Sequence, residues 1–353
     1  MDSIMTRAEK AGERTSPREQ FSKRPTLKDV AREAGVGTTT VSRIINGGRY
    51  VEAATLARVQ AVMKSLGYQP NHAARALKGE RTRTLGLIVP TLEDAFFANL
   101  AGTAQAMARR NEYVLIVLAS EDDAKQETSE IDVFQSHRVD GLIVVPPRIQ
   151  TPAFLAAVKG MRVPVVAIDR PLVSRNSSVT CDNYEASVAA TNHLIEHGRK
   201  RILCFGGDPD LWTIQERQRG YKDALAQAAL PSELMFDVDP NALIGRLHEA
   251  MARPRSKRPD AVLGMLNLAS IVAFEQLMAL GVSVPQSVAL LSFDDFALSS
   301  TLRPAVSVIR QPVAEMSKAA TRLIFEQIQS GDTTPHHITL STEFIARSSC
   351  GCE

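Results

Sequence analysis

The stretch "AGVGTTTVSRIING", residues 34 to 47, places three threonines, a serine and an arginine in a segment with helical spacing. At 3.6 residues per turn, Thr38, Thr39, Ser42, Arg43 and Asn46 share one face and Val41, Ile44 and Ile45 the opposite one. Hydroxyls, a carboxamide and a guanidinium along one ridge can reach base edges and phosphates in a DNA major groove, where an arginine binds guanine bidentately. A helix with a merely solvated face gains nothing from Thr and Ser, which form helices poorly. Gly35 permits the sharp turn that must precede this helix, because glycine tolerates positive φ.

Other chemistry is thinly represented. There is no Walker loop, no Gly-x-Ser-x-Gly elbow and no G-x-G-x-x-G after a strand, so no catalytic residue and no cofactor is expected. The seven histidines read as lacking metal spacing, and the Pro-flanked His336-His337 pair reads as a solvent-exposed loop. Cys350-x-Cys352 has no evident second ligand pair and reads as part of a frayed tail over 349–353. With Cys181 and Cys204, the four cysteines are too few and scattered for a disulfide framework. No metal site is expected.

The 353 residues carry a net charge of +2, which hides an asymmetry. Residues 1–83 hold sixteen Lys/Arg and eight Asp/Glu, leaving 25 basic against 31 acidic groups for the rest. A basic head on an acidic body points to a polyanion met by the head alone. No run of about 18 apolar residues occurs and no apolar stretch follows the first charges, so a soluble, cytoplasmic protein is expected, with no membrane partner.

The elements that must position the polar ridge follow from periodicity. Residues 1–25 are almost devoid of apolar side chains and read as a disordered arm. Over 26–69, three helical stripes can close a small core: Leu27, Val30, Ala31 and Ala34; then Val41, Ile44 and Ile45; then Leu56, Val59, Met63 and Leu66. "GYQPN" ends the third helix. A linker over 70–83 has too little apolar surface to be a stable helix alone. From 84 to 348 the pattern is α/β. Apolar runs at 84–90, 113–120, 141–147, 163–169, 201–207, 261–265 and 288–295 alternate with helices near 97–110, 125–137, 152–160, 215–229, 240–252, 269–280 and 313–330. That rhythm predicts two interleaved, doubly wound parallel sheets with a cleft beyond the carboxyl ends of their strands.

The segment "TLKDVAREAGVGTTTVSRIINGGRYVEAATLARVQAVMKSLGYQPNHAARALKG" resembles the helix-turn-helix and hinge of the lactose-repressor (LacI/GalR) family of bacterial transcription regulators. The likeness continues through "RTLGLIVP", "RVDGLIVVPP", "VVAIDRP", "HLIEHGRKRI", "ERQRGY", "LGVSVPQSVALLSFDD" and "RSS". It implies that Thr38, Thr39 and Arg43 read bases, that Ser42 and Asn46 assist at the backbone, and that Arg49 also contacts the operator. It further implies a hinge helix whose Leu77 wedges between minor-groove base steps, with Arg75 and Lys78 toward phosphate or groove. Where the family places a serine cap before the recognition helix, this chain has Gly37.

For the body, the resemblance implies a periplasmic-binding-protein-like effector and dimerisation domain. Carried over by position, the effector contacts are Phe96, Phe97, Asp169, Trp212, Thr213, Arg217, Asn267 and Asp294. Such a set suits a polyol: carboxylates and a guanidinium clamp hydroxyls while aromatic faces cover a sugar ring. Asn267 stands in a stretch where the family pattern has an aspartate, and "GMLNLAS" is more apolar than that pattern. The expected protein is a homodimeric, sequence-specific DNA-binding repressor controlled by a sugar or sugar derivative. The rivals are a cytosolic sugar-binding protein and a sugar enzyme with an incidental basic head.

Overall fold

The computed structural model describes residues 25–45, 51–68 and 81–352. The chain divides into two compact units, Met1–Glu80 and Arg81–Glu353.

In the first unit, α1 (Leu27–Glu33), α2 (Thr38–Ile45) and α3 (Ala53–Ser65) enclose a core of Val30, Ala31, Ala34, Val41 and Val59. Val36, Val62 and Tyr68 pack against it beside the expected Leu27, Ile44, Ile45, Met63 and Leu66. A capping box starts α1: Thr26 Oγ1 accepts from Asp29 N, and Asp29 Oδ2 accepts from Thr26 N at 2.9 Å. Gly35 turns the chain at φ 63°.

The second unit contains two sheets of the same plan. The first has the order β11-β5-β4-β3-β1-β2, from β1 (Thr84–Val89), β2 (Val114–Ala119), β3 (Gly141–Val144), β4 (Val165–Ile168), β5 (Ser177–Cys181) and β11 (His337–Leu340), all parallel. The second has the order β12-β10-β9-β8-β6-β7, from β6 (Ile202–Phe205), β7 (Glu233–Met235), β8 (Ala261–Gly264), β9 (Ala289–Phe293), β10 (Ser307–Arg310) and β12 (Glu343–Ile345). Only β12 runs antiparallel to its neighbour. Strand for strand, β1–β5 correspond to β6–β10.

The central strands are buried on both faces because helices cover both sides, and alternate residues serve different layers. In the first half, Leu85, Leu87 and Val89 pack with α4 (Ala95–Arg110) and α11 (Val313–Ser330). Ile88, Leu142 and Val144 pack with α5 (Ala124–Ser136) and α6 (Pro152–Gly160). In the second half, Leu203, Phe205 and Val262 face α9 (Pro240–Ala252) and α10 (Asn267–Ala279). Ile202, Cys204 and Leu263 face α7 (Asn183–Glu196) and α8 (Trp212–Gln227). The chain passes between halves after β5, after β10 and between β11 and β12.

Three expectations need correction. Residues 81–83 join the body rather than the linker, because the Asp140 carboxylate accepts from Thr82 N at 3.1 Å and Arg83 N at 2.8 Å. The end of the chain is not a frayed tail: Ser349 and Cys350 are fully buried, and Ser349 Oγ accepts from Ser307 N and donates to Leu290 O. The histidines do have a ligand spacing, since His193 and His197 stand one turn apart at the end of α7, with Cys352 against both rings.

Candidate functional site

Two places in the chain carry the expected chemistry. In the first unit, Gly37 O accepts from Thr40 N (3.0 Å) and Val41 N (3.2 Å), so Gly37 holds the cap position and Thr38 begins α2. Thr38, Thr39 and Arg43 are exposed and Ser42 is half-buried, while Val41 on the opposite face is 0% exposed. The apolar face fixes the helix in the core and leaves the hydroxyl and guanidinium ridge in water. Asn46, Arg49, Arg75, Leu77 and Lys78 lie outside the described residues.

In the second unit, two aspartates leave corresponding strands in corresponding ways. Asp169 follows β4 at φ 70° and Asp294 follows β9 at φ 68°. Each amide donates across to the next strand, Asp169 N to Val179 O and Asp294 N to Ile309 O, both at 2.9 Å. Left-handed backbone at a non-glycine residue costs of order 1–3 kcal/mol and persists where the surroundings impose it, often at binding sites. Here it turns both carboxylates out of the strand ends.

Arg217, 3% exposed on α8, faces these carboxylates. Its Nη1 donates to Met265 O at 2.5 Å and stands 4.0 Å from Asp294 Oδ2; its Nε donates to Asn183 Oδ1 at 2.7 Å. Its guanidinium carbon lies 4.1 Å from the Phe293 ring centroid. Burial pushes both Asp169 and Asp294 above the usual carboxylate range, and Arg217 opposes that shift at both. Arg170 Nε also stands 3.3 Å from Asp169 Oδ2. Gln311, in a crossing segment, donates from Nε2 to Asp294 Oδ1 and accepts at Oε1 from Cys181 Sγ.

A cavity of about 480 Å³ opens beside Asp294, lined from both halves by Phe96, Asn99, Asn267 and Gln311 among others. That volume falls in the range of small-molecule sites. Asn267 Nδ2 donates to Asp94 Oδ1 across the cleft at 3.1 Å, and Arg148 pairs with Asp208 across it as well. The glycines after β6 allow α8 and α10 to approach here: Gly206 and Gly207 take φ of 82° and 97°, and a Cβ at Gly206 would come within 2.1 Å of Ala269 Cβ.

The structure thus brings Phe96, Asn267 and Asp294 to one cavity, with Arg217 and Asp169 behind Asp294. Thr213 is buried in the first turn of α8, and Trp212, half-buried, begins that helix. Phe97 differs: it packs in the first half's core and presents its ring to Phe96 edge-on, 5.0 Å between centroids. Asp94, Arg148, Asn183, Asp208 and Gln311 were missed by sequence reasoning. Only Asp94 had a local cue, as the acceptor capping α4 (Phe96 N to Asp94 Oδ1, 2.9 Å).

Residues 26–71 match the family described as "Bacterial regulatory proteins, lacI family". Residues 82–348 match "Periplasmic binding proteins and sugar binding domain of LacI family". The chain belongs to the LacI family. It is a DNA-binding transcriptional regulator of that family, with a head of the helix-turn-helix type and a ligand-binding body. Among curated relatives, it is 30% identical to the HTH-type transcriptional repressor PurR of Aliivibrio fischeri (strain MJ11), over 92% of this chain and 98% of that one. It is 29% identical to the ribose operon repressor of Escherichia coli (strain K12), over 92% and 99%. Among solved structures, a transcriptional regulator CelR–cellobiose complex matches at TM-score 0.68 and 28% identity, over 92% of this chain and all of that one. A Lac repressor dimer bound to operator and the anti-inducer ONPF shares the fold at TM-score 0.83 and 21% identity, over 93% and 99%. These relatives are regulators rather than enzymes. Among the described residues, no helix is long and apolar enough to cross a membrane.

Proposed function

We propose that this LacI-family protein is a cytoplasmic, homodimeric repressor whose hold on a near-palindromic operator is set by a sugar or sugar derivative in the cleft of the body. Thr38, Thr39 and Arg43 read base edges, Ser42 and Asn46 assist at the backbone, Arg49 also contacts the operator, and Leu77 wedges into the minor groove with Lys78 toward phosphate or groove. One similar protein is solved with cellobiose and another is a ribose operon repressor, and both support a carbohydrate. A Lac repressor bound to operator as a dimer supports the assembly. So does β2, an edge strand of the first sheet whose Val114 is exposed.

The observation that carries the effector reading is the Asp294–Arg217–Asp169 group at the strand ends beside the cavity. Asp169 and Arg217 are buried, Asp294 keeps an open side to the cavity, and Phe96 supplies an apolar face to the same cavity. A polyol presents donors to carboxylates and acceptors to the amides of Asn267 and Gln311. The ligand bridges both halves of the body, so it favours one closure angle. By linkage, effector and operator must change each other's affinity by the same factor.

Trp212 is the chain's only tryptophan and begins the helix that carries Arg217. Titrating a panel of mono- and disaccharides while following its fluorescence tests the reading. A saturable change with one sugar, abolished in Arg217→Ala, is the expected outcome. A panel without any saturable response contradicts a carbohydrate effector.

A further inference from the structure

Away from the cleft, the second half of the body gathers two imidazoles and two thiols from opposite ends of its sequence. His193 lies in the last turn of α7 and His197 is its C-cap, so the i, i+4 spacing puts both rings on one side, 4.5 Å between centroids. The chain returns there at its end. A 3₁₀ turn over Ser348–Cys350 is followed by Gly351 at φ 107°, a conformation open to glycine, and then Cys352.

Cys352 Sγ lies 3.5 Å from His197 Nε2 and 3.6 Å from His193 Nε2. Cys350 Sγ lies 3.2 Å from His193 Nε2. One donor atom from each of His193, His197 and Cys352 falls within 4.8 Å of the other two. In a tetrahedral zinc centre, Zn–S of ~2.3 Å and Zn–N of ~2.0–2.1 Å put neighbouring sulfur and nitrogen ligands roughly 3.5 Å apart. The spacings on both imidazoles of Cys352 have that size.

We propose that His193, His197 and Cys352 form a structural site for one thiophilic divalent ion of the zinc class, with Cys350, whose Sγ touches His193 and donates to Arg347 O at 3.3 Å, turning in as the fourth ligand. With both thiols deprotonated, two thiolates and two neutral imidazoles balance the ion's charge, which suits a half-buried place. The supports around the ligands fit. Ser307 Oγ donates to Cys350 Sγ at 3.1 Å, and the Phe344 ring covers His193 at 4.6 Å between centroids. All four positions are taken by protein, so the ion holds the chain's last turn to α7, more than 150 residues earlier, and does no chemistry on substrates.

Cobalt(II) titration of the chelator-stripped, thiol-reduced full-length protein tests this. One equivalent per chain is expected to produce thiolate-to-cobalt charge-transfer absorption and the intense visible bands of a tetrahedral centre, all displaced by one equivalent of zinc. Zinc is also expected to raise the unfolding temperature of the body. Cys352→Ser and His197→Ala, both outside the buried core, are expected to fold, as checked by far-ultraviolet circular dichroism, and to weaken cobalt binding at least tenfold. Absence of thiolate bands in the wild-type protein, weak octahedral-type spectra, or bands undiminished in both folded variants overturns the site.

Discussion

Asn267 Nδ2 donates to Asp94 Oδ1 at 3.1 Å, joining the first residue of α10 in one half of the body to the cap of α4 in the other. The same Asp94 oxygen accepts from Phe96 N, so the bond ties the cleft's closure to the helix that carries Phe96. A carboxylate only accepts, and the partner across the cleft must therefore donate. That requirement gives a physical reason for asparagine where the family pattern has an aspartate.

Replacing Asn267 by Asp sets two carboxylates against each other across the cleft. Effector affinity at pH 7 is expected to fall about tenfold, equivalent to ~1.4 kcal/mol. Trp212 titrations of both proteins check this; equal affinities at pH 7 would show that the bond plays no part in closure.

Arg217 faces both Asp169 and Asp294, while Arg170 also stands beside Asp169. Arg217→Ala leaves Asp294 without its cation and removes the donor to Met265 O, so stability is expected to drop by about 3 kcal/mol. Arg217→Lys keeps the charge but not the planar fork that reaches Met265, Asn183 and Asp294 together; it should regain part of the stability and none of the effector response. Denaturant midpoints and effector titrations separate the two effects. Wild-type stability in the alanine variant would contradict this role for Arg217.

Stability should also decline as pH rises from about 5 to about 8. Glu127 is buried against Ser120, and burial raises its carboxyl from 4.5 to about 8; Glu130 rises to about 7. Between the unfolded and folded values the native state binds more protons than the unfolded chain, so unfolding free energy falls with increasing pH. Glu127→Gln removes that proton and should flatten the pH 5–8 profile by on the order of 2 kcal/mol, a discount on ~1.4 kcal/mol per unit. Unfolding curves at intervals across that span measure it, and an unchanged slope would rule Glu127 out as the source.

Gly37 offers a gain rather than a loss. Its backbone is not left-handed, and a Cβ there would meet only Thr39 Oγ1 at 3.5 Å, an ordinary contact. Gly37→Ser should stabilise the head by a few tenths of a kcal/mol through a side-chain cap on α2. Thr38, the first helical residue, keeps its exposed hydroxyl, so operator affinity should not fall. Calorimetry and operator titration test the pair of outcomes; a destabilised head would show that the cap geometry is already filled.

The legible parts of this chain were those governed by period. "TLGLIVP" and "VALLSFDD" announce strands covered on both faces, and the three head stripes, Leu56 apart, close the core they predict. β5, "SSVTC", was not legible because its serines look like a loop until Gln327 and His337 arrive to bond them. The final "SSC" misled for the same reason: its hydroxyls are satisfied by Ser307 and Leu290, far back in sequence. In the cleft, Asp294 and Arg217 stood out through family likeness, whereas Gln311 and Asn183 gain their roles only from contacts that folding creates.

The central claim, that the ridge on α2 grips a specific duplex under control of the body, is tested most directly by fluorescence anisotropy of the full-length protein. The probes are a labelled duplex from its own upstream region and a scrambled duplex, over a series of salt concentrations. The account predicts binding to the native duplex at least ~10³-fold tighter than to the scrambled one. It also predicts affinity falling steeply and linearly in log–log form with salt, and shifting when the cleft ligand is added. Equal affinity for both duplexes, or binding indifferent to salt, would contradict it.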